Sequence, residues 1–157
     1  MNLVFKKLNY KDQQQLHIIN SPDSFKKETD EMKDMASIKT TLAGAKGVSF
    51  FLAFVTKQKE VNDLTSKVAA LLEEDGLLWF AYPKGTSRRY TCEFNRDNGW
   101  EELGKHGFEP VRMVAIDEDW SALRFRKAEH IKTMTRSAAI SETGKAKLAS
   151  KKVRKKG

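Results

Sequence analysis

One stretch of this chain gathers the residue types that hold anions. From Pro83 to Asp97 the order is Pro-Lys-Gly-Thr-Ser-Arg-Arg-Tyr-Thr-Cys-Glu-Phe-Asn-Arg-Asp. Lys84, Arg88, Arg89 and Arg96 outnumber Glu93 and Asp97, while Gly85, Thr86 and Ser87 offer backbone N–H groups and hydroxyls to an oxyanion. The stretch reads as a loop of about 15 residues, and connections that long are uncommon unless they serve a function or lack order. A phosphate or carboxylate site built on Lys84, Ser87 and Arg89, with Arg96 closing it and Ser21 facing the same crevice, is the expectation. The competing reading pairs these cations with Glu93 and Asp97 over the start of the next helix. The spacing does not match a phosphate-binding Gly-x-x-x-x-Gly-Lys-Ser/Thr loop, here or at Gly44-Ala45-Lys46-Gly47.

Other reactive residues carry less. Cys92 would need His106 or His17 as a base, and nothing in the spacing ties either to it. His17 sits in an apolar run and reads as a core histidine. No His, Cys, Asp or Glu set has metal-ligand spacing, so no catalytic residue, metal or cofactor is expected. Asp117-Glu118-Asp119 reads as a solvated turn. Trp79, Trp100 and Trp120 would form a nucleic-acid platform only if exposed; packing in the core is expected of Trp79 and Trp100, while the pattern decides least about Trp120.

The elements that must position this loop follow from hydrophobic patterning. Leu16–Asn20 has strand length. Ser21 and Pro22 then suit the cap and first position of a helix running to about Met35, with Phe25, Met32 and Met35 inward. Ile38–Leu42 is a weaker strand. Val48–Val55 is almost wholly apolar, as in a strand buried on both faces. Thr56 would cap a helix carrying Val61, Leu64, Val68, Leu71 and Leu72, with Gly76 as its stop. Leu77–Tyr82 is another buried strand. Asn98-Gly99-Trp100-Glu101 resembles a capping box, opening a short helix that ends at Gly107. Pro110–Ile116 and Ser121–Arg126 are separated by four residues, too few for a crossover, so they are antiparallel. The order β-α-β-β-α-β-α-β-β predicts an α/β fold: a three-layer Rossmann-like sandwich, mostly parallel, with an antiparallel C-terminal edge hairpin. The first strand and the strands at 48–55 and 77–82 belong at its centre.

Val48–Phe125 resembles the second half of a class I methyltransferase-like Rossmann domain. The likeness runs through Phe50–Val55, Val61–Leu72, Gly76–Phe80, Trp100 to Gly107-Phe108, and the final hairpin. Trp79-Phe80-Ala81-Tyr82-Pro83-Lys84-Gly85-Thr86-Ser87, with Trp120-Ser121-Ala122-Leu123-Arg124-Phe125, resembles an uncharacterised family of small bacterial domains of unknown function, over roughly residues 16–136. That likeness implies a fold and a bacterial cytoplasmic setting, and no activity. A methyltransferase of this kind has a glycine-rich turn after its first strand and an acid at the end of its second. Here the turn is Asn20-Ser21-Pro22-Asp23 and the second strand ends in Thr40-Thr41-Leu42. Both departures argue against S-adenosylmethionine held in the usual way. A methyltransferase-related enzyme with an atypical cofactor site is the alternative to a non-catalytic or cofactor-degenerate binding domain.

Composition bounds these readings. The 157 residues suit one domain over 1–136, followed by a basic, disordered tail at 137–157. Apolar residues make up 39% and charged residues 32%. No apolar run approaches the roughly 20 residues of a membrane span. One cysteine excludes an internal disulfide and a multi-cysteine zinc site, and a reducing cytoplasm is the expected setting. The formal charge is +8, but Lys145, Lys147, Lys151, Lys152, Arg154, Lys155 and Lys156 supply most of it. Without those seven of the 29 basic residues, 22 remain against 21 acidic ones. The tail is thus the candidate for weak nucleic-acid or other polyanion binding, and a small anionic ligand is the candidate for the loop.

Overall fold

The computed structural model describes residues 2–131, and the tail expected at 137–157 lies outside them. Six strands form one sheet: β1 (Gln15–Ile19), β2 (Ser37–Lys39), β3 (Val48–Phe54), β4 (Leu72–Pro83), β5 (Phe108–Ala115) and β6 (Trp120–Lys127). Their spatial order is β2-β1-β3-β4-β6-β5. The first four are parallel to one another, and β6 runs antiparallel to both neighbours. The fold is therefore the expected α/β Rossmann-like sandwich, with β1, β3 and β4 at its centre.

Alternation along the strands divides the core in two. On one face Leu16, Ile18, Phe50, Leu52, Trp79 and Ala122 pack with Phe5 of α1 (Leu3–Lys7), with Leu8 at its C-terminal cap, and with Phe25 and Met32 at α2 (Lys26–Met32). On the other, Phe51, Ala53, Leu78, Phe80, Leu123 and Phe125 meet Val61 and Val68 of α3 (Gln58–Ala69) and Leu103 of α4 (Glu101–Lys105). The indole of Trp79 is fully buried and donates to Leu8 C=O at 3.0 Å, tying α1 to the central strand.

Five local expectations give way to tertiary context. Ser21 forms no cap: Pro22 holds that position before a 3-10 turn at Asp23–Phe25, and Met35 is 43% exposed rather than inward. Thr56 does not cap α3. Lys57 is the cap residue, and the Glu60 carboxylate accepts from the amides of both Thr56 and Lys57 at 3.0 Å. Leu72 and Gly76 belong to β4, not to the end of α3. Between Val48↔Leu72 and Phe50↔Leu77 the ladder accommodates an irregular turn carrying Asp75 at φ 53 and Gly76. A Cβ on Gly76 would stand 3.0 Å from Val48 O and 3.1 Å from Glu73 O, so a side chain there would push against the backbone of the turn. Trp100, not Asn98, takes the cap position of α4.

Candidate functional site

The loop after β4 is pinned at three places and folds over the carboxyl end of the sheet. The first pin is the hairpin tip. Asp117 Oδ1 accepts from the amides of Asp119 and Trp120, at 2.8 and 2.9 Å, which forms an Asx turn. That turn presents Asp119, whose backbone C=O accepts from Lys84 N at 2.8 Å and whose Oδ1 accepts from Ser87 Oγ at 3.0 Å. Ser87 N donates back to Lys84 C=O at 3.0 Å, closing a turn through Gly85 and Thr86. Ser87 Oγ in turn accepts from the amides of Arg89 and Tyr90, at 3.3 and 3.2 Å. Residues 84–90 are thereby one compact unit, and the Tyr90 ring lies 4.8 Å from that of Trp120.

The second pin is the start of α3. Glu93 N donates to Thr56 C=O, and the Glu93 carboxylate accepts from Gln58 N, both at 3.0 Å. With Glu60 on Thr56 and Lys57, the chain's own carboxylates occupy the amides that open this helix. An external anion would have to displace one of them.

The third pin is aromatic. Phe94 packs against Trp100 with centroids 4.9 Å apart and faces Tyr82 at 6.4 Å. The Trp100 indole donates to the carbonyls of Asn95 and Arg96, at 2.9 and 3.1 Å. Ring pairs of this kind contribute about 0.5–1.5 kcal/mol each. Trp79 and Trp100 are buried as expected, and Trp120, about which the sequence pattern decides least, is buried as well.

The five residues singled out from sequence fall into three places. Lys84, Ser87 and Arg89 share the turn against Asp119. Ser87 spends its hydroxyl inside that turn. Arg89 Nε stands 4.0 Å from Asp119 Oδ2 and its side chain is 71% exposed, so this ion pair is loose. No partner meets the Lys84 ammonium or the Arg88 guanidinium among the described residues. Arg96 sits beyond the third pin, paired with its neighbour Asp97 at 3.3 Å. Ser21 lies exposed after β1. Asp119, read from sequence as part of a solvated turn, is the residue that organises the site. Its signal was the Asp-x-Asp spacing of an Asx turn, which says nothing about what the second aspartate will hold.

Other candidates lose ground on geometry. Burial pushes the Cys92 thiol above its ordinary pKa, which suppresses the thiolate a nucleophile needs. Among the described residues no group of three or more His, Cys, Asp or Glu side chains could hold a metal ion. No helix among them is long and apolar enough to cross a membrane.

The crevice at the carboxyl ends of β1 and β2 is the place where an open α/β sheet takes a ligand. It is a groove of about 740 Å³ lined by Ile19, Asn20, Thr40, Thr41, Leu42 and Leu64, among others. Among the described residues no carboxylate lines it. Asn20, at φ 57, makes the turn that glycines make in a nucleotide-binding fold, and Pro22 follows where a backbone donor would serve. These residues do not fit an adenosyl cofactor, which calls for a close glycine turn and an acid on its ribose.

No family model matches the chain. No curated protein matches it. Solved structures do. A ribosomal protein L11 methylase from Lactobacillus delbrueckii subsp. bulgaricus superposes with a TM-score of 0.50 at 14% identity, over 80% of this chain and 75% of that one. An RNA methyltransferase from Salinibacter ruber, in complex with S-adenosyl-L-homocysteine, gives 0.44 at 11% identity, over 85% and 94%. A protein of the NADB-Rossmann superfamily from Streptococcus agalactiae gives 0.47 at 11%, over 85% and 71%. At these identities the likeness is one of fold.

Proposed function

We propose that this chain is a binding domain for a small anionic ligand, built on a methyltransferase-like scaffold that does not hold the adenosyl cofactor in the usual way. The observation that carries the reading is the turn at 84–90. Its backbone is fixed to Asp119, yet it leaves the cations of Lys84 and Arg88 without an acidic partner among the described residues and that of Arg89 only loosely paired. A fixed backbone with unspent cations is preorganised for an oxyanion, because little ordering entropy remains to be lost on binding. In this reading Lys84 and Arg89 contact the ligand and Ser87 positions them. Arg96 closes the site only if the loop rearranges. The basic residues of the tail would add a weaker, salt-sensitive attraction for polyanions.

The test is the melting temperature of the full chain in saturating S-adenosylhomocysteine, nucleotides, sugar phosphates and inorganic phosphate. A ligand at 100 times its dissociation constant stabilises by about 2.7 kcal/mol, a rise of a few degrees. The expected result is a rise with phosphorylated compounds that shrinks in the Lys84→Ala, Arg89→Ala double variant. A rise with S-adenosylhomocysteine, or the same rise in the double variant, overturns the reading.

A further inference from the structure

Where the end of α1 meets the final hairpin, three arginines gather on one face of the sheet, beside Trp79, Lys7 and Asn9. Arg112 of β5 stands directly opposite Arg124 of β6, and Arg126 follows two residues on, so all three side chains share one face. Like charges directly opposite in a ladder destabilise it. Two of the three have partners. Arg126 makes a bidentate pair with Asp75, both bonds at 2.6 Å, and Arg112 Nη1 donates to Asn9 Oδ1 at 3.2 Å. Arg124 has none among the described residues, and its Nε is buried without an acceptor. A buried, unmatched donor on a charged group is expensive, and in native proteins such a group calls for an ion or water.

We propose that this face is a second oxyanion site, in which Arg124, flanked by Arg112 and Arg126, takes a phosphoryl group. The guanidinium fork matches two phosphoryl oxygens at once. The negative charge would also relieve the repulsion between Arg112 and Arg124. Burial first, then Arg126, holds the Arg124 guanidinium below its ordinary pKa, with Asp75 opposing and Arg112 adding the smallest push in the same direction. Glu109, opposite Arg126 in the register, is buried. Counted with Asp75 and Glu109, the three arginines still leave an excess of positive charge, which Lys7 extends where its ammonium reaches Ala115 C=O at 3.4 Å. Arg124 stands four steps along β6 from Trp120, about 13 Å, so the site is distinct from the Lys84 turn.

The experiment is an NMR titration of the full chain that follows the Nε–Hε resonance of Arg124, first with pyrophosphate and then with a short single-stranded oligonucleotide. The expected result is a saturable shift that persists in Lys84→Ala and weakens about tenfold in Arg112→Gln, a loss of roughly 1.4 kcal/mol. A shift with the oligonucleotide alone also upholds the site and identifies its phosphoryl source as a nucleic-acid backbone. An unmoved resonance with both probes, or equal affinity in Arg112→Gln, overturns the proposal. Arg112 is exposed, so its variant remains informative even where Arg124→Gln fails to fold.

Discussion

The Ser87 hydroxyl donates to the carboxylate of Asp119 at 3.0 Å across 32 residues of sequence. This bond turns a long connection into a fixed turn. The same oxygen accepts two amides of the loop, and the same aspartate offers its backbone carbonyl to Lys84. Ser87→Ala should therefore lower stability by about 1–2 kcal/mol in urea denaturation. Asp119→Ala should cost a similar amount. Because the two partners share one interaction, the double variant should cost clearly less than the sum, and additive losses would refute the linkage.

Gly99 anchors the far end of the same loop. Its φ is +92°, and a Cβ there would lie 2.5 Å from Phe94 Cβ. Gly99→Ala should cost about 2–3 kcal/mol from backbone strain and overpacking together. It should also displace Phe94 from Trp100, visible as a change in near-ultraviolet circular dichroism. A near-neutral substitution would show that the aromatic pin is not required.

His17 gives the fold a pH dependence. Burial, with help from Lys39, holds its imidazole below the ordinary value of 6.5. The unfolded chain therefore takes up this proton first as pH falls. The stability attached to His17 is complete above about pH 6.5 and is lost as pH drops through the lower folded value. His17→Leu should flatten the stability profile between pH 7 and 5, measured by denaturation at each pH. An unchanged slope would assign the dependence to other groups.

The Asp75–Arg126 pair fixes the irregular turn in β4. Each side chain is about one-third exposed, so screening keeps its worth to about 0.5–1 kcal/mol. Arg126 holds the Asp75 carboxyl below its ordinary 3.8, so the contribution is present above that pH and disappears as pH falls through the folded value. Asp75→Asn, which keeps a residue tolerant of φ 53, should lose that amount at pH 7 and converge with the parent chain in acid.

Much of this architecture was legible in the residues. Phe50–Val55 and Leu77–Tyr82 read as central strands because apolar residues fill both parities. The four residues between Ile116 and Ser121 left β5 and β6 no geometry but antiparallel. What failed were boundaries decided by distant partners. Asn2 caps α1 with its side chain, accepting from Val4 N and Phe5 N, yet five residues carry too little periodicity to announce a helix. Leu71 and Leu72 continued the apolar spacing of α3, and nothing local revealed that Leu72 would pair with Val48. For the site, composition pointed to Lys84 and Arg89. The roles of Asp119, Glu93 and Glu60 rest on contacts that cross the chain, which spacing alone does not encode.

The most direct test of the central claim is a titration of the full chain with pyrophosphate, followed through its backbone amide resonances. The account predicts saturable shifts at Gly85, Thr86, Arg88 and Arg89, abolished by Lys84→Ala, while S-adenosylhomocysteine leaves Asn20–Asp23 and Thr40–Leu42 unmoved. Still amides at 85–89, with S-adenosylhomocysteine shifting the β1 and β2 termini, would contradict it and return the chain to the methyltransferases whose fold it shares.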